Sequence, residues 1–119
     1  MADGEAKFSV RKVGAVTVVR PRGPHISELP YIDELGDELE ALLATAAPPD
    51  LLIDFADVAF VSSSFLGKIV KLSKLTGQRG GRLRLCGLQP RFLEILELTQ
   101  IDKLAEICPS LDDALGPQD

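Results

Sequence analysis

The sequence has few residues of the types that most enzymes, membrane proteins and nucleic-acid-binding proteins require. It contains one histidine, two cysteines, and 13 Lys and Arg against 18 Asp and Glu, for a formal net charge of −5. No stretch approaches the roughly 20 apolar residues that span a bilayer, so we expect no membrane insertion. A nucleic-acid surface needs clustered cations to replace the counterions of phosphates. The acidic balance therefore argues against direct nucleic-acid binding and favours a protein or small-ligand partner.

The scarce cysteines and the N-terminal segment indicate the compartment. Cys86 and Cys108 do not form the close C-x-x-C spacing of a metal site, and "MADGEAKF" has no apolar signal core. We therefore expect a reduced, cytoplasmic protein in which both thiols are buried packing residues. The sequence predicts no cofactor and no metal ion.

Catalytic motifs are also missing. A Ser-His-acid triad would require the loop around His25 to reach Ser63 or a neighbouring serine. The segment "SSSFLG" lacks the Gly-x-Ser-x-Gly spacing of a nucleophile elbow. The segment "GQRGGRLRL" runs from loop into strand, whereas a phosphate-binding glycine loop runs from strand into helix. We therefore predict that the protein is not an enzyme.

Two aspartates raise a different alternative. Asp54 and Asp57 stand near the end of a predicted strand, where a response-regulator receiver has its phosphoacceptor. A receiver also holds Mg²⁺ with an acidic pair after its first strand, and the first strands of this sequence offer none. We therefore interpret Asp54 as a hydrogen-bonded carboxylate at a strand end.

The first half of the chain predicts a hairpin, a helix and a buried strand. The segment "KFSVRKVGAVTVVRP" contains two β-branched runs around a Val-Gly turn, and "RPRGPHIS" is rich in Pro and Gly, which predicts a loop. Helical spacing of apolar residues predicts an acidic amphipathic helix over about Leu29 to Ala44, with Ser27 as its cap. The apolar run "LLIDF" is typical of a central strand that is covered on both faces.

The second half alternates helices and strands. A helix follows the three serines of "FVSSSFLGK", with Lys68, Lys71 and Lys74 on its outer arc. The later segments predict, in order, a strand, a helix, a short strand and a helix capped by Ser110: "RLRLCG", "QPRFLEILELT", "KLAEI" and "SLDDAL". We expect one α/β domain over residues 1–119, with a core of about 8–115. Its sheet is predicted to be mixed and mostly parallel, with four to five strands, an antiparallel N-terminal edge and about four helices.

The junction "LLIDFADVAFVSSSFLG" resembles the STAS domain of bacterial anti-sigma-factor antagonists. The segments "GGRLRLCGLQPRFLEILELTQIDKLAEI" and "SLDDAL" follow in the family's order and spacing, so the resemblance runs from about Val16 to Leu115. It implies a non-enzymatic switch, in which the unphosphorylated antagonist binds a serine kinase that otherwise sequesters a sigma factor. The kinase ends the interaction by phosphorylating a serine at the start of the second long helix. A PP2C-type phosphatase reverses that modification.

Alignment on the family pattern puts Ser63 at the phosphoacceptor position, with Ser62 and Ser64 as alternatives. Ser62 stands where the family usually has Asp, and Phe65 stands where it usually has Gly. The resemblance implies a partner-binding set of Ser62, Ser64, Phe65 and Lys68. Phe65 is either an exposed apolar anchor or a core residue.

Two other interpretations of the serine segment stay open. The three serines could serve only as a helix cap and a turn. The domain could also be a scaffold that is not phosphorylated, or a ligand-binding module whose pocket is lined by "RPRGPHI" and the helix start.

Overall fold

A computed structural model describes residues 8–116 as a five-stranded sheet with helices on both faces. Residues 1–7 and 117–119 of the predicted domain lie outside the described range. In chain order the elements are β1 (Phe8–Val13), β2 (Val16–Pro21), β3 (His25–Ile26), α1 (Leu29–Leu43), β4 (Asp50–Asp54), β5 (Phe60–Val61), α2 (Ser63–Gln78), β6 (Arg82–Cys86), α3 (Pro90–Leu98), a 3-10 turn (Ile101–Lys103), β7 (Glu106–Cys108) and α4 (Leu111–Leu115).

The main sheet has the strand order β1-β2-β4-β6-β7. β1 pairs antiparallel with β2, and every other pairing in this sheet is parallel. Parallel neighbours require a crossover, which α1, α2 and α3 supply with their flanking loops. The prediction of a mixed, mostly parallel sheet with an antiparallel N-terminal edge is therefore confirmed.

The central strand β4 is buried on both faces. Leu51 and Ile53 pack into the large cluster that α1, α2 and α3 cover. Leu52 points to the opposite face and packs in a smaller cluster with α4, where both cysteines also lie. Leu52 and Ile53 are 0% exposed, which confirms the predicted interior strand. Cys86 and Cys108 are free and buried, as expected.

A buried arginine links three elements on the α4 face of the sheet. The Arg84 guanidinium is 3.0 Å from the Asp50 carboxylate and also donates to the carbonyl of Ala114. A buried charge is tolerated when it is paired and hydrogen-bonded in this way. Arg84 therefore ties β6 to the start of β4 and to α4.

The two long helices pack side by side through a glycine and two ion pairs. A Cβ on Gly36 of α1 would lie 3.2 Å from a methylene of Lys68 on α2, so the glycine makes room for that side chain. Salt bridges join Lys68 to Asp33 at 3.5 Å and Lys71 to Glu40 at 3.0 Å. Two of the outer lysines of α2, Lys68 and Lys71, thus form ion pairs with the acidic face of α1.

The cap predicted for α1 is wrong. The N-cap residue is Glu28, and no side chain caps the helix end. Ser27 lies one residue too early, and Pro30 in the first turn has no N–H to donate to a capping oxygen. By contrast, the predicted cap of α4 is confirmed, because Ser110 Oγ accepts from the Asp113 N–H at 3.2 Å.

Two predicted boundaries also differ from the structure. The segment "RPRGPHIS" is not all loop, since His25 and Ile26 form β3 and pair in parallel with β5. The strand predicted for "KLAEI" begins only at Glu106, because the chain first forms the 3-10 turn Ile101–Lys103. In both places the regular segment has two or three residues, too few for a periodic pattern.

Truncation of Ile53 tests the interior position of β4. We expect Ile53→Ala to lower the free energy of unfolding by about 2 to 5 kcal/mol, because the lost side chain leaves a cavity in the main cluster. A urea titration measures this change. Leu52→Ala should cost a similar amount on the opposite face, and a loss within experimental error for either variant would contradict the two-sided burial.

Paired substitutions on α1 test its helical phase. Leu35 and Leu39 are fully buried, whereas Glu34 is exposed and Glu38 is half-buried at the helix surface. We expect Leu35→Ala or Leu39→Ala to destabilise the protein by about 2 to 5 kcal/mol. Glu34→Lys and Glu38→Lys should change stability by no more than about 0.5 kcal/mol in the same titration. Unfolding by either charge reversal would show that the helix phase is wrong.

Candidate functional site

The three serines lie where β5 passes into α2, and a short strand pair fixes this junction. The N–H of Phe60 donates to the Pro24 carbonyl at 2.9 Å. The N–H of Ser62 donates to the Ile26 carbonyl at 2.9 Å. Ser62 is the N-cap of α2, with extended backbone angles, and Ser63 is the first helical residue. The pairing of β3 with β5 therefore sets the position of the helix start.

Phe65 anchors the first turn of α2 in the core. Its ring is 0% exposed and packs edge-to-face against Phe55, with centroids 6.1 Å apart. Phe55 in turn packs edge-to-face against Phe92 of α3 at 5.1 Å. The core alternative for Phe65 is therefore the observed one. Its inclusion in the partner-binding set is corrected, because a side chain with no exposed surface cannot contact a partner.

The buried Phe65 determines which serines face solvent. Successive residues of an α-helix are about 100° apart around its axis, so residues three positions apart share a face. Ser62 lies three residues before Phe65, is half-buried and has a buried hydroxyl oxygen. Ser63 and Ser64 lie on other faces, and both are exposed. The structure thus separates one inward serine from two accessible ones.

The serine at the N-cap does not perform a capping function through its side chain. Ser62 makes no cap hydrogen bond, and its Oγ has no hydrogen-bond partner within the described residues. The backbone carbonyl of Ser62 accepts from the N–H groups of Phe65 and Leu66 at 3.1 and 3.3 Å. A serine hydroxyl is therefore not needed at this position to begin the helix.

Lys68, the remaining partner-binding candidate, is turned towards α1. Its ammonium pairs with Asp33, and its side chain is 28% exposed. Among residues 8–116, the Lys68 ammonium forms its ion pair with Asp33 and makes no hydrogen bond to Ser63. A contact between Lys68 and a partner stays a prediction.

An apolar groove that the sequence did not reveal lies beside the serine junction. It has a volume of about 390 Å³, and its walls include His25, Phe60, Val61, Arg91, Phe92 and Ile95. Phe60 is 52% exposed, and its ring meets the His25 ring edge-to-face at 6.1 Å. The exposed aromatic residue near the serines is thus Phe60, two positions before the N-cap, and not Phe65. No local pattern in "AFVSSSF" distinguishes the two phenylalanines.

Asp54 is a hydrogen-bonded strand-end carboxylate, as interpreted from the sequence. Its Oδ1 accepts from the Ala56 N–H at 3.0 Å, and the side chain is buried. Arg20 lies 3.9 Å from Asp54 and makes two hydrogen bonds to Asp57, at 3.0 and 3.2 Å. Gly87 has a φ of +70°, and a Cβ there would be 2.7 Å from Asp54 Oδ1. The carboxylates of Asp54 and Asp57 therefore stabilise the turn after β4.

Other kinds of site receive no support from the described part of the chain. Over residues 8–116, no group of three or more His, Cys, Asp and Glu side chains is arranged to hold a metal ion. His25 packs against Phe60 instead of forming a hydrogen bond to a serine. Within the same range no helix has the length and apolar character required to cross a membrane.

Burial next to Asp54 changes the acidity of a thiol. Desolvation, together with the nearby Asp54 carboxylate, raises the pKa of Cys86 to about 12. Desolvation also raises the pKa of Cys108, with the Glu106 carboxylate adding to the effect. Both thiols therefore stay protonated at neutral pH, which makes them poor nucleophiles and poor metal ligands.

The raised pKa of Cys86 predicts a loss of stability in alkaline solution. In the unfolded chain a thiol ionises near pH 8.5, whereas the folded protein keeps the Cys86 proton up to about 12. Between these values the unfolded state binds fewer protons, so the free energy of unfolding falls as the pH rises. Cys86→Ala should be less stable than wild type at about pH 8, and the gap should narrow by about 2 kcal/mol at about pH 10.5. Denaturant titrations at both pH values measure the gap, and a constant gap would contradict the prediction.

Comparisons with known proteins agree with the fold. The family model described as "STAS domain" matches residues 7–114. An anti-sigma-factor antagonist (STAS) domain protein from Planctomyces limnophilus is 27% identical, with 92% of this chain and 96% of that chain covered and a TM-score of 0.82. An anti-sigma factor antagonist from Mycobacterium paratuberculosis is 28% identical, with 91% and 89% covered and a TM-score of 0.78. The Bacillus cell fate determinant SpoIIAA in its phosphorylated form shares the fold at 14% identity, with 91% and 96% covered and a TM-score of 0.71.

Proposed function

Since the chain belongs to the STAS domain family, we propose that it is a regulator of the anti-sigma-factor-antagonist type. In this proposal the protein binds a serine kinase that acts as an anti-sigma factor, and phosphorylation of Ser63 ends the binding. A PP2C-type phosphatase restores the binding form. The protein acts through association and not through catalysis. The proposed setting is the cytoplasm, where sigma factors and their regulators meet.

The exposure of Ser63 at the first position of α2 is the observation that carries this proposal. A kinase must bring its ATP phosphate to the hydroxyl oxygen, so the acceptor has to be open to solvent. Ser63 and Ser64 are exposed, whereas the hydroxyl oxygen of Ser62 is buried. Of the two open hydroxyls, Ser63 is the one that family alignment matches to the phosphoacceptor. Ser64 is the alternative acceptor.

The position of Ser63 determines how a phosphate would act. The first N–H groups of a helix have no partner within it, and the helix dipole favours negative charge at this end. A phosphate with nearly two negative charges is therefore tolerated by α2 itself. Its effect must fall on the partner, because a dianion that enters a packed interface without cations is costly. We therefore expect phosphorylation to weaken kinase binding while leaving the fold intact.

The partner surface is proposed to include the exposed serines and the neighbouring Lys68. Phe60 replaces Phe65 as its apolar contact residue, because Phe60 is half exposed and lies two residues before the N-cap. Exposed aromatic residues are frequent anchors at protein interfaces. The Ser62 hydroxyl is not part of this surface, since its oxygen is buried.

The related structures also support this proposal. Two of them are anti-sigma-factor antagonists by name, and SpoIIAA has been solved in a phosphorylated form. At 14% identity the likeness to SpoIIAA concerns the fold alone. The assignment of Ser63 therefore depends on its exposure and on the alignment of the motif.

Mass spectrometry after incubation with ATP and a serine kinase recovered from the native organism tests the acceptor. We expect phosphate on Ser63, and we expect Ser63→Ala to abolish it without a change in the thermal unfolding midpoint. Ser62→Ala is the matched control and should still be phosphorylated, because its hydroxyl is already inaccessible. Ser63→Asp should weaken kinase binding in a calorimetric titration, although one carboxylate carries less charge than a phosphate.

Other outcomes separate the parts of the proposal. Phosphate on Ser64 with Ser63 unmodified would contradict the assignment of Ser63 as the acceptor but would support a phosphorylation switch. A kinase that binds the protein but modifies none of the three serines would contradict the switch. The domain would then be a binding module or scaffold.

A further inference from the structure

The groove beside the serine junction has the dimensions and lining of a small-ligand site. Its volume of about 390 Å³ lies within the range of about 300 to 1,000 Å³ that is usual for ligand pockets. Most of its wall is aromatic or aliphatic, with Phe60 and Phe92 facing it from β5 and α3. Phe92 is buried and packs edge-to-face against Phe55, so the core holds this part of the lining.

One permanent charge stands at the wall of this apolar groove. Arg91 is exposed on the first turn of α3 and forms no ion pair with any residue between Phe8 and Gly116. No carboxylate side chain belongs to the described lining. In a protein of net charge −5, an unpaired guanidinium beside apolar rings is a local positive site. Its complement is an anion attached to an apolar group.

We propose that the groove binds a small aromatic carboxylate. The planar Arg91 guanidinium presents two N–H groups in the geometry that holds both oxygens of a carboxylate. The ring of the ligand packs against Phe60 and Ile95, where offset or edge-to-face contacts with Phe60 add to the burial of apolar area. The volume is sufficient to hold a bicyclic aromatic ring. This inference does not depend on phosphorylation of Ser63.

An NMR titration of the full chain with 2-naphthoate tests the site. Backbone amide signals should shift in saturable fashion at β3, at β5 and in the first two turns of α3. The neutral 2-naphthamide, which has the same ring and no charge, should bind at the same place more weakly. Because Arg91→Gln removes the ionic hydrogen bonds to the carboxylate, it should reduce the affinity for 2-naphthoate about tenfold. The affinity for 2-naphthamide, which has no charge to pair, should be unchanged.

Two further variants separate apolar contact from charge. Phe60→Ala should weaken binding of both compounds, and it should fold normally because the side chain is 52% exposed in the native protein. Leu98→Ala is the matched control, since Leu98 is a 77% exposed apolar residue of α3 that does not line the groove. It should leave both affinities unchanged.

Three results would overturn the proposal. The first is the absence of saturable shifts at these amides. The second is equal naphthoate affinity in wild type and Arg91→Gln, which would show that Arg91 does not bind the carboxylate. The third is a shift of the same amides on raising the protein concentration without ligand, because a second copy of the chain would then occupy the groove.

Discussion

The burial of β4 on both faces is the constraint on which the rest of the structure depends. A strand with Leu52 on one face and Ile53 on the other must lie inside a sheet, and helices must cover both sides. The run Leu51–Ile53 is apolar throughout, so side-chain polarity within it cannot set the register. At its two ends, Asp50 pairs with Arg84 of the neighbouring strand β6, and Asp54 accepts from the Ala56 N–H in the turn that follows.

The same strand determines the geometry of the serine junction. Phe55 continues inward beyond β4 and meets Phe65 and Phe92, which joins the central strand to the first turns of α2 and α3. With Phe65 held inward, helical geometry turns Ser62 towards the protein and leaves Ser63 and Ser64 at the surface. The accessibility of the serines is thus a consequence of aromatic packing around Phe65.

The elements long enough to show a hydrophobic pattern could be predicted from the sequence, and the short elements could not. The 15 residues of α1 and the apolar run of β4 contain enough apolar positions to define a face. The two-residue strands β3 and β5 have none, and they form only because distant parts of the chain pair. For the same reason the sequence pointed to the serines but left open whether Phe65 is exposed or buried, and it did not single out Phe60. Which of two nearby phenylalanines is buried depends on the tertiary packing of Phe65 against Phe55, which in turn contacts Phe92 of α3.

The two outer strands of the main sheet limit how this protein can associate. A long uncharged strand at a sheet edge can add a strand from another chain and so begin aggregation. One edge here is β1, which carries Arg11 and Lys12 side by side, and the other is β7, which has three residues and is followed by Pro109. Within residues 8–116, neither edge is a good template for backbone pairing. Extension of the sheet by backbone pairing is therefore disfavoured at both edges.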